Sequence, residues 1–336
     1  MKKLSTLVIS CLVLIFSCQK KDMRVKDEAE DPALEASAAP AQRCASQEVL
    51  NEKLAADPGL RKRMQEVEEF TQQVIKNKEK YKGIKETVIE IPVYFHVLYR
   101  DASEDISDEQ LQSQIDVLNE DFTKKNADIS KVPAHFADVA TNVQVKFTWA
   151  PGPAQTKRKY SSKRQWSTND DMKFDAKGGS NVYQPEDFLN IWVVNKIFAY
   201  GSTILGYAQF PGGAWATDGI VLGHNFTGRK GKVSAPFDLG RTATHEVGHW
   251  LNLRHIWGDA TCGNDQVDDT PQHNTSNGGC PAADHRSTCT GTPLEMWMNY
   301  MDYTYDQCMY MFTNGQKTRM RSVFTSGGYR AALGQP

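Results

Sequence analysis

The chain has 336 residues, with 39 lysines and arginines against 41 aspartates and glutamates and a formal net charge of −2. So even a balance argues against a dedicated nucleic-acid binder, which needs a basic surface to neutralise phosphates. Hydrophobic residues make up 40% of the chain, and about 240 residues remain once the two ends are set aside, enough for one large core.

The N-terminus reads as a targeting signal. Met1-Lys2-Lys3 is basic and residues 4–16 form an apolar run too short to span a bilayer. The run ends at Ile15-Phe16-Ser17-Cys18, which resembles a bacterial lipoprotein signal: cleavage before Cys18 and lipidation of its thiol anchor the mature chain to a membrane. An ordinary secretory signal cut nearby, with Cys18 incidental, is the alternative. Both readings export the chain from a bacterial cell, either lipid-anchored at the envelope or secreted. Residues 1–17 are therefore assigned to the signal. Residues 18–43 are charged, then rich in Ala, Pro and Ser, and are expected to be a flexible tether.

Residues 44–85 form the next segment. Leu50, Leu54, Leu60, Met64, Val67 and Val74 recur among Glu, Lys and Gln as on an amphipathic helix, and Asp57-Pro58-Gly59 should split it into two. The polar and basic stretch of residues 76–82 follows, either a site of processing or a solvated connector.

From residue 86 onward, strands and helices alternate. Residues 90–99 have the β-branched and aromatic content of a buried strand. Ser107-Asp108-Glu109-Gln110 looks like a helix start, with Leu111, Ile115, Leu118 and Phe122 at helical spacing. Residues 143–150 alternate as a half-buried strand, residues 189–194 read as a central strand, and residues 219–222 as another. The sequence shows no internal repeat. His96 and His224 have no partner at metal-ligand spacing and are expected to be hydrogen-bonded structural residues. His273 and His285, in a loop region, are expected to be solvated.

The most informative segment runs from His245 to His255. His245 and His249 are four residues apart, so on a helix both rings project from one face and can share a metal. Glu246 can reach water at that metal. His255, six residues beyond His249, is on the wrong face unless the helix stops and the chain folds back. Asn252 stands where that turn is needed and tolerates the left-handed conformation. Three imidazoles leave a coordination position open, the hallmark of a catalytic zinc site, and Glu246 is placed to act as general base in metal-assisted hydrolysis. A surface helix with scattered histidines is the plain alternative.

The segment resembles the metzincin zinc peptidases, whose motif reads HExxHxxGxxH, with Asn252 in place of the glycine. The longer string from Gly240 to Asp259 is similar to the pappalysin family, in particular its bacterial cytophagalysin-like branch. Asn299-Tyr300-Met301-Asp302-Tyr303 resembles the family's Met-turn. The resemblance covers roughly residues 89–320. It implies a mixed α/β (α+β) fold with a twisted sheet, an active-site helix and an irregular, disulfide-stapled lower subdomain, together making residues 86–336 the catalytic domain. It implies that Met301 floors the zinc site and that Tyr303 steadies the tetrahedral intermediate. It also implies an edge strand above the cleft that holds substrate by β-addition, for which residues 206–213 are a candidate, a core strand followed by a turn being the alternative. A basic residue after the scissile bond is preferred by some members, and Asp306 is a candidate acid for that pocket.

Seven cysteines less Cys11 and Cys18 leave five. Cys262, Cys280, Cys289 and Cys308 should pair outside the cytoplasm, in any of three connectivities; a second zinc site is disfavoured by their wide spacing. The resemblance implies Cys262 with Cys289 and Cys280 with Cys308. Cys44 is left over. Its thiolate can fill the open zinc position and keep a precursor silent, as some pappalysin relatives do, which makes residues 44–85 a propeptide; a free tail cysteine is the alternative. Asp265, Asp268 and Thr270 offer hard oxygen ligands suited to calcium, as the family carries in the corresponding loop, or else form an ordinary polar turn. The expected function is an extracytoplasmic zinc endopeptidase acting on protein or peptide substrates, a monomer made as a zymogen. A surface-anchored binding or adhesion protein and a zinc amidase or deacetylase are the alternatives.

Overall fold

Buried side chains along residues 189–194 and 89–99 build the centre of the molecule. The computed structural model describes residues 41–77 and 87–333. Its sheet has eight strands: β1 (Ala41–Cys44), β2 (Ile89–Tyr99), β3 (Val145–Thr148), β4 (Thr156–Tyr160), β5 (Leu189–Val194), β6 (Ile197–Ala199), β7 (Ser202–Ala208) and β8 (Ile220–Gly223). The main path runs β1-β7-β8-β5-β2-β3, with β4 also on β2 and β6 on β7. Every pair is parallel except β6–β7 and β7–β8. β5 is buried along its whole length between β8 and β2, which is what a continuous apolar run requires of a strand covered on both faces.

Helices α1 (Ser46–Ala56) and α2 (Pro58–Lys76) meet at Asp57, whose carboxylate accepts from the Gly59 N–H and caps α2 with Pro58 at its first position. Helix α3 (Asp108–Phe122) starts at Ser107, whose hydroxyl accepts from the Gln110 N–H, and buries Leu111, Ile115, Leu118 and Phe122 in the main core. Helix α4 (Arg241–Trp250) lies under the sheet and is buried at every residue. Below it, residues 251–333 contain one further α-helix among the described residues, α5 (Asn314–Ser322), closed by a capping box between Thr313 and Gln316. Two disulfides, Cys262–Cys289 and Cys280–Cys308, cross this part, and Cys44 is free and buried.

Three expectations change. Residues 41–43, assigned to the flexible tether, are strand β1: they pair with β7, Ala41 opposite Thr203, and Arg43 is buried. Backbone pairing and the Arg43 ion pair described below order a stretch whose composition reads as linker. The strand expected within 206–213 spans 202–208 instead and ends before Pro211, which cannot donate to a ladder. His273 is fully buried rather than solvated: its Nε2 accepts the Met296 N–H, and its Nδ1 faces Asp302 at 3.5 Å. The signal, Cys18 and most of the tether lie outside the described residues, as does the 85/86 boundary.

Candidate active site and metal centre

Helix α4 carries the first two histidines. Its N-terminus is fixed by Arg241, which pairs with Asp128 at 2.5 Å and Asp121 at 3.5 Å. Gly248 is required by what lies beneath: a Cβ there would stand 2.4 Å from the Met301 sulfur. The helix stops at Asn252, which adopts φ 75°, and the Leu253 N–H returns to the Gly248 carbonyl. That left-handed turn brings His255 back over α4.

The three rings converge. His249 Nε2 lies 3.2 Å from His245 Nε2 and 3.1 Å from His255 Nε2. Each Nδ1 has an oxygen partner that fixes the tautomer: Tyr300 O at 2.7 Å for His245, Leu253 O at 2.8 Å for His249 and Asp259 Oδ1 at 2.5 Å for His255. With every Nδ1–H committed, three Nε2 lone pairs face one point, an arrangement that repels itself unless a cation sits there. Burial, with the neighbouring imidazoles adding to it, holds His245 and His249 well below the usual histidine range, so both rings are neutral, the form that can bind a metal. The residues fit zinc.

The Met-turn braces this cluster from below. Met301 is buried against Gly248, Asn299 Oδ1 accepts the Met301 N–H, and the Met301 carbonyl accepts from Ile256 N–H. The Tyr303 ring stands 4.9 Å from His255 and 4.7 Å from Trp257, which itself stacks on His255. Burial pushes the Tyr303 hydroxyl well above its ordinary range, so it is a proton donor.

The sulfur of Cys44 joins the cluster: one ligand atom from Cys44 and from each of the three histidines all lie within 4.8 Å of one another. Strand β1 delivers it, with Cys44 opposite Gly206. A Cβ at Gly206 would meet Glu246 Cγ at 3.1 Å, so glycine lets the glutamate pack under the strand. Glu246 Oε2 accepts the Ser46 hydroxyl at 2.8 Å, and the Ser46 oxygen in turn accepts the Ala208 N–H. Burial pushes the Glu246 carboxyl up to about 8. Tyr303 donates to the Cys44 carbonyl at 3.3 Å. On the other side of Cys44, Arg43 is buried and pairs with Asp306 at 2.8 Å while donating to Thr304 O. The other Asp306 oxygen accepts the Leu239 and Arg241 N–H groups.

Helix α2 meets the same site from the far side. Glu68 forms a two-pronged ion pair with the buried Arg319, whose Nε donates to Asn252 O at 2.7 Å. Ser46, Arg43 and this clamp escaped sequence reasoning because each acts through a contact across 200 to 263 residues. In the acidic loop, Asp265 is buried and accepts the Thr270 hydroxyl at 2.8 Å, Asp268 is exposed, and Asp269 instead accepts the Thr313 hydroxyl and the Gly315 N–H.

The chain is similar to known metalloproteases. A family model described as pregnancy-associated plasma protein-A matches residues 174–325. Extracellular metalloprotease 1 of Coccidioides posadasii is 35% identical over 247 residues, 70% of this chain and 77% of its own. An extracellular metalloprotease of Verticillium alfalfae is 34% identical over 251 residues, 71% and 78% of the two chains. Among solved structures, a promirolysin variant from Tannerella forsythia is 40% identical with TM-score 0.77, covering 87% of this chain and 97% of that one. Mature mirolysin of the same organism, in complex with a cleaved peptide, is 44% identical with TM-score 0.69, covering 74% and 96%.

Proposed function

The chain belongs to the pappalysin family of metzincin zinc peptidases, and from that premise we propose how its residues divide the work of a secreted zinc endopeptidase made as a latent precursor. His245, His249 and His255 hold the zinc through Nε2. When bound, zinc supplies a Lewis acid that polarises the scissile carbonyl and brings the pKa of water to ~7. Glu246 takes the proton from the attacking water and returns it to the leaving amine. Tyr303 donates to the developing oxyanion; its bond to the Cys44 carbonyl supports this role, since a carbonyl oxygen of a chain lying in the cleft already receives its proton. Met301 floors the site.

Residues 41–77 act as the propeptide. Cys44 Sγ takes the open zinc position, Ser46 occupies Glu246, and β1 covers the β7 edge on which a substrate strand would add. The observation that carries this reading is the convergence of three Nε2 lone pairs and one buried sulfur beside a buried glutamate. Asp306 serves the pocket after the scissile bond and prefers arginine or lysine there; Arg43, seated on it, supports this. Calcium at Asp265 and Thr270, with Asp268 from the surface, is supported by the burial of Asp265, which pushes its carboxyl up to about 6 and which a bound cation would offset by holding the carboxylate ionised. Lipidation at Cys18 would anchor the enzyme at the envelope, tested by fatty-acid labelling that a Cys18→Ala change abolishes.

The test of the whole is a chain lacking residues 1–18 and its Glu246→Ala twin, each incubated with zinc and calcium and followed by mass. The parent should trim to a product starting near residues 76–88 and then cut casein in a chelator-sensitive way, while the twin stays whole. Casein untouched by trypsin-activated parent would favour a binding protein; casein altered without chain cleavage would favour an amidase or deacetylase.

A further inference from the structure

A second acidic position beside the cleft has no part in this chemistry. Asp170 is buried, with φ 63°. Its Oδ1 takes the buried Lys173 ammonium at 2.9 Å and the Tyr207 hydroxyl at 2.9 Å. Its Oδ2 takes the ammonium of Lys53, on α1, at 2.6 Å. The same ammonium donates to Gln209 Oε1 at 3.1 Å. Gln209 is itself fixed, accepting from Thr217 Oγ1 and donating to Ala214 O and Asp218 Oδ1. Lys53 therefore sits between two oxygens, each oriented by residues that stay behind when residues 41–77 leave. Such a cradle does not depend on its occupant and is preorganised for the next one.

Its place along the cleft follows from the strand register. Cys44 lies opposite Gly206, and Gln209 lies three residues further, ~10 Å along at strand rise. Arg43 and Lys53 flank Cys44 on its two sides. If Asp306 holds the residue after the scissile bond, as argued under the proposed function on which this step rests, substrate residues before the bond run toward Gln209. We propose that Asp170 and Gln209 form a subsite of the mature enzyme for a basic side chain, lysine above all, roughly three residues before the scissile bond, and that Lys53 is the precursor's own occupant of it. The reading of Asp170 as a structural partner of Lys173 alone leaves the ordered Gln209 and the free-standing Oδ2–Lys53 bond without a role.

The experiment uses activated wild-type enzyme and fluorogenic peptides that share arginine after the bond and carry lysine or norleucine at the second, third or fourth position before it. Lysine should raise kcat/KM about ten-fold at one of these positions. Asp170→Asn should abolish that gain while the preference for arginine after the bond is kept. A flat profile in the wild type, or a gain that survives Asp170→Asn, overturns the proposal. If Asp170→Asn does not fold, the wild-type ratio decides: it should fall toward one with rising salt, and a ratio insensitive to salt overturns the ionic subsite. Turnover of none of the peptides contradicts the endopeptidase reading itself, and is distinguishable from a flat profile of cleaved peptides.

Discussion

The part above the zinc and the part below it are held together by different means. Above, β2, β5 and β8 bury Val93, Phe95, Ile191, Val193 and Leu222 in a continuous core with α3 and α4, so stability is spread over many small apolar contacts. Below, residues 251–333 add Met298, Tyr300, Met309 and Phe312 to the same core but have little regular structure, and particular links supplement the packing: two disulfides, the Arg319 bonds, and Asn277 bridging the buried Glu295 and Asp302. The proposed catalytic centre straddles the seam, with His245 and His249 on a helix of the upper part and His255 after the turn below it. The half built on regular elements positions Glu246, the proposed base, and the half pinned by crosslinks positions His255 and Tyr303, the proposed third ligand and oxyanion donor.

The largest effect is expected at the seam. Glu246→Gln should lower peptide hydrolysis by about 10²–10⁴-fold with zinc content and thermal midpoint unchanged; a fall in zinc content would show that Glu246 acts through the metal site's assembly instead. Next comes the contrast itself. Replacing Cys262 and Cys289, which are 27 residues apart, by serine should cost about 3–4 kcal/mol in urea unfolding, against about 1 kcal/mol for Ile191→Val in the upper core. Equal costs would erase the distinction.

The upper half was the more legible, for the same physical reason. β-branched and aromatic runs announce β2 and β5 and helical spacing announces α3, because burial selects residue types and leaves a pattern in sequence. In the lower half Cys262, Cys280, Cys289 and Cys308 were visible as cysteines, but composition left three pairings open. The three converging histidines stood out because α4 sets the spacing of the first two locally and Asn252 marks the turn before the third. What stayed hidden were the contacts of the N-terminal segment: β1 has no alternation to betray it, and Arg43–Asp306, Lys53–Asp170 and Glu68–Arg319 join residues far apart in sequence. His273 looked like a loop residue because nothing local shows that Met296 and Asp302 enclose it.

A third prediction concerns the buried imidazole on β2. His96 is neutral between Ser180 and Asn190, both at 2.8 Å, and burial lowers it to about 4. The unfolded chain binds its proton near pH 6.5, so this stability is full above that value and is lost as pH falls from 6.5 toward 4, about 3 kcal/mol in all. Urea unfolding at pH 7 and pH 4.5 should show a steeper acid loss for wild type than for His96→Gln; parallel slopes would assign the loss elsewhere. The smallest effect belongs to Asn252→Gly. Glycine adopts φ 75° freely, so the mature enzyme should change by less than about 1 kcal/mol. The precursor loses the Asn252–Thr71 bond and should activate faster; a large drop in mature stability would mean that the turn depends on the side chain.

The most direct test of the central claim is X-ray absorption at the zinc edge on the purified precursor and on the activated enzyme. The account predicts three nitrogen scatterers and one sulfur at ~2.3 Å in the precursor, with the sulfur lost on activation. Nitrogen and oxygen scatterers alone in the precursor would contradict it, leaving Cys44 beside the metal but not on it.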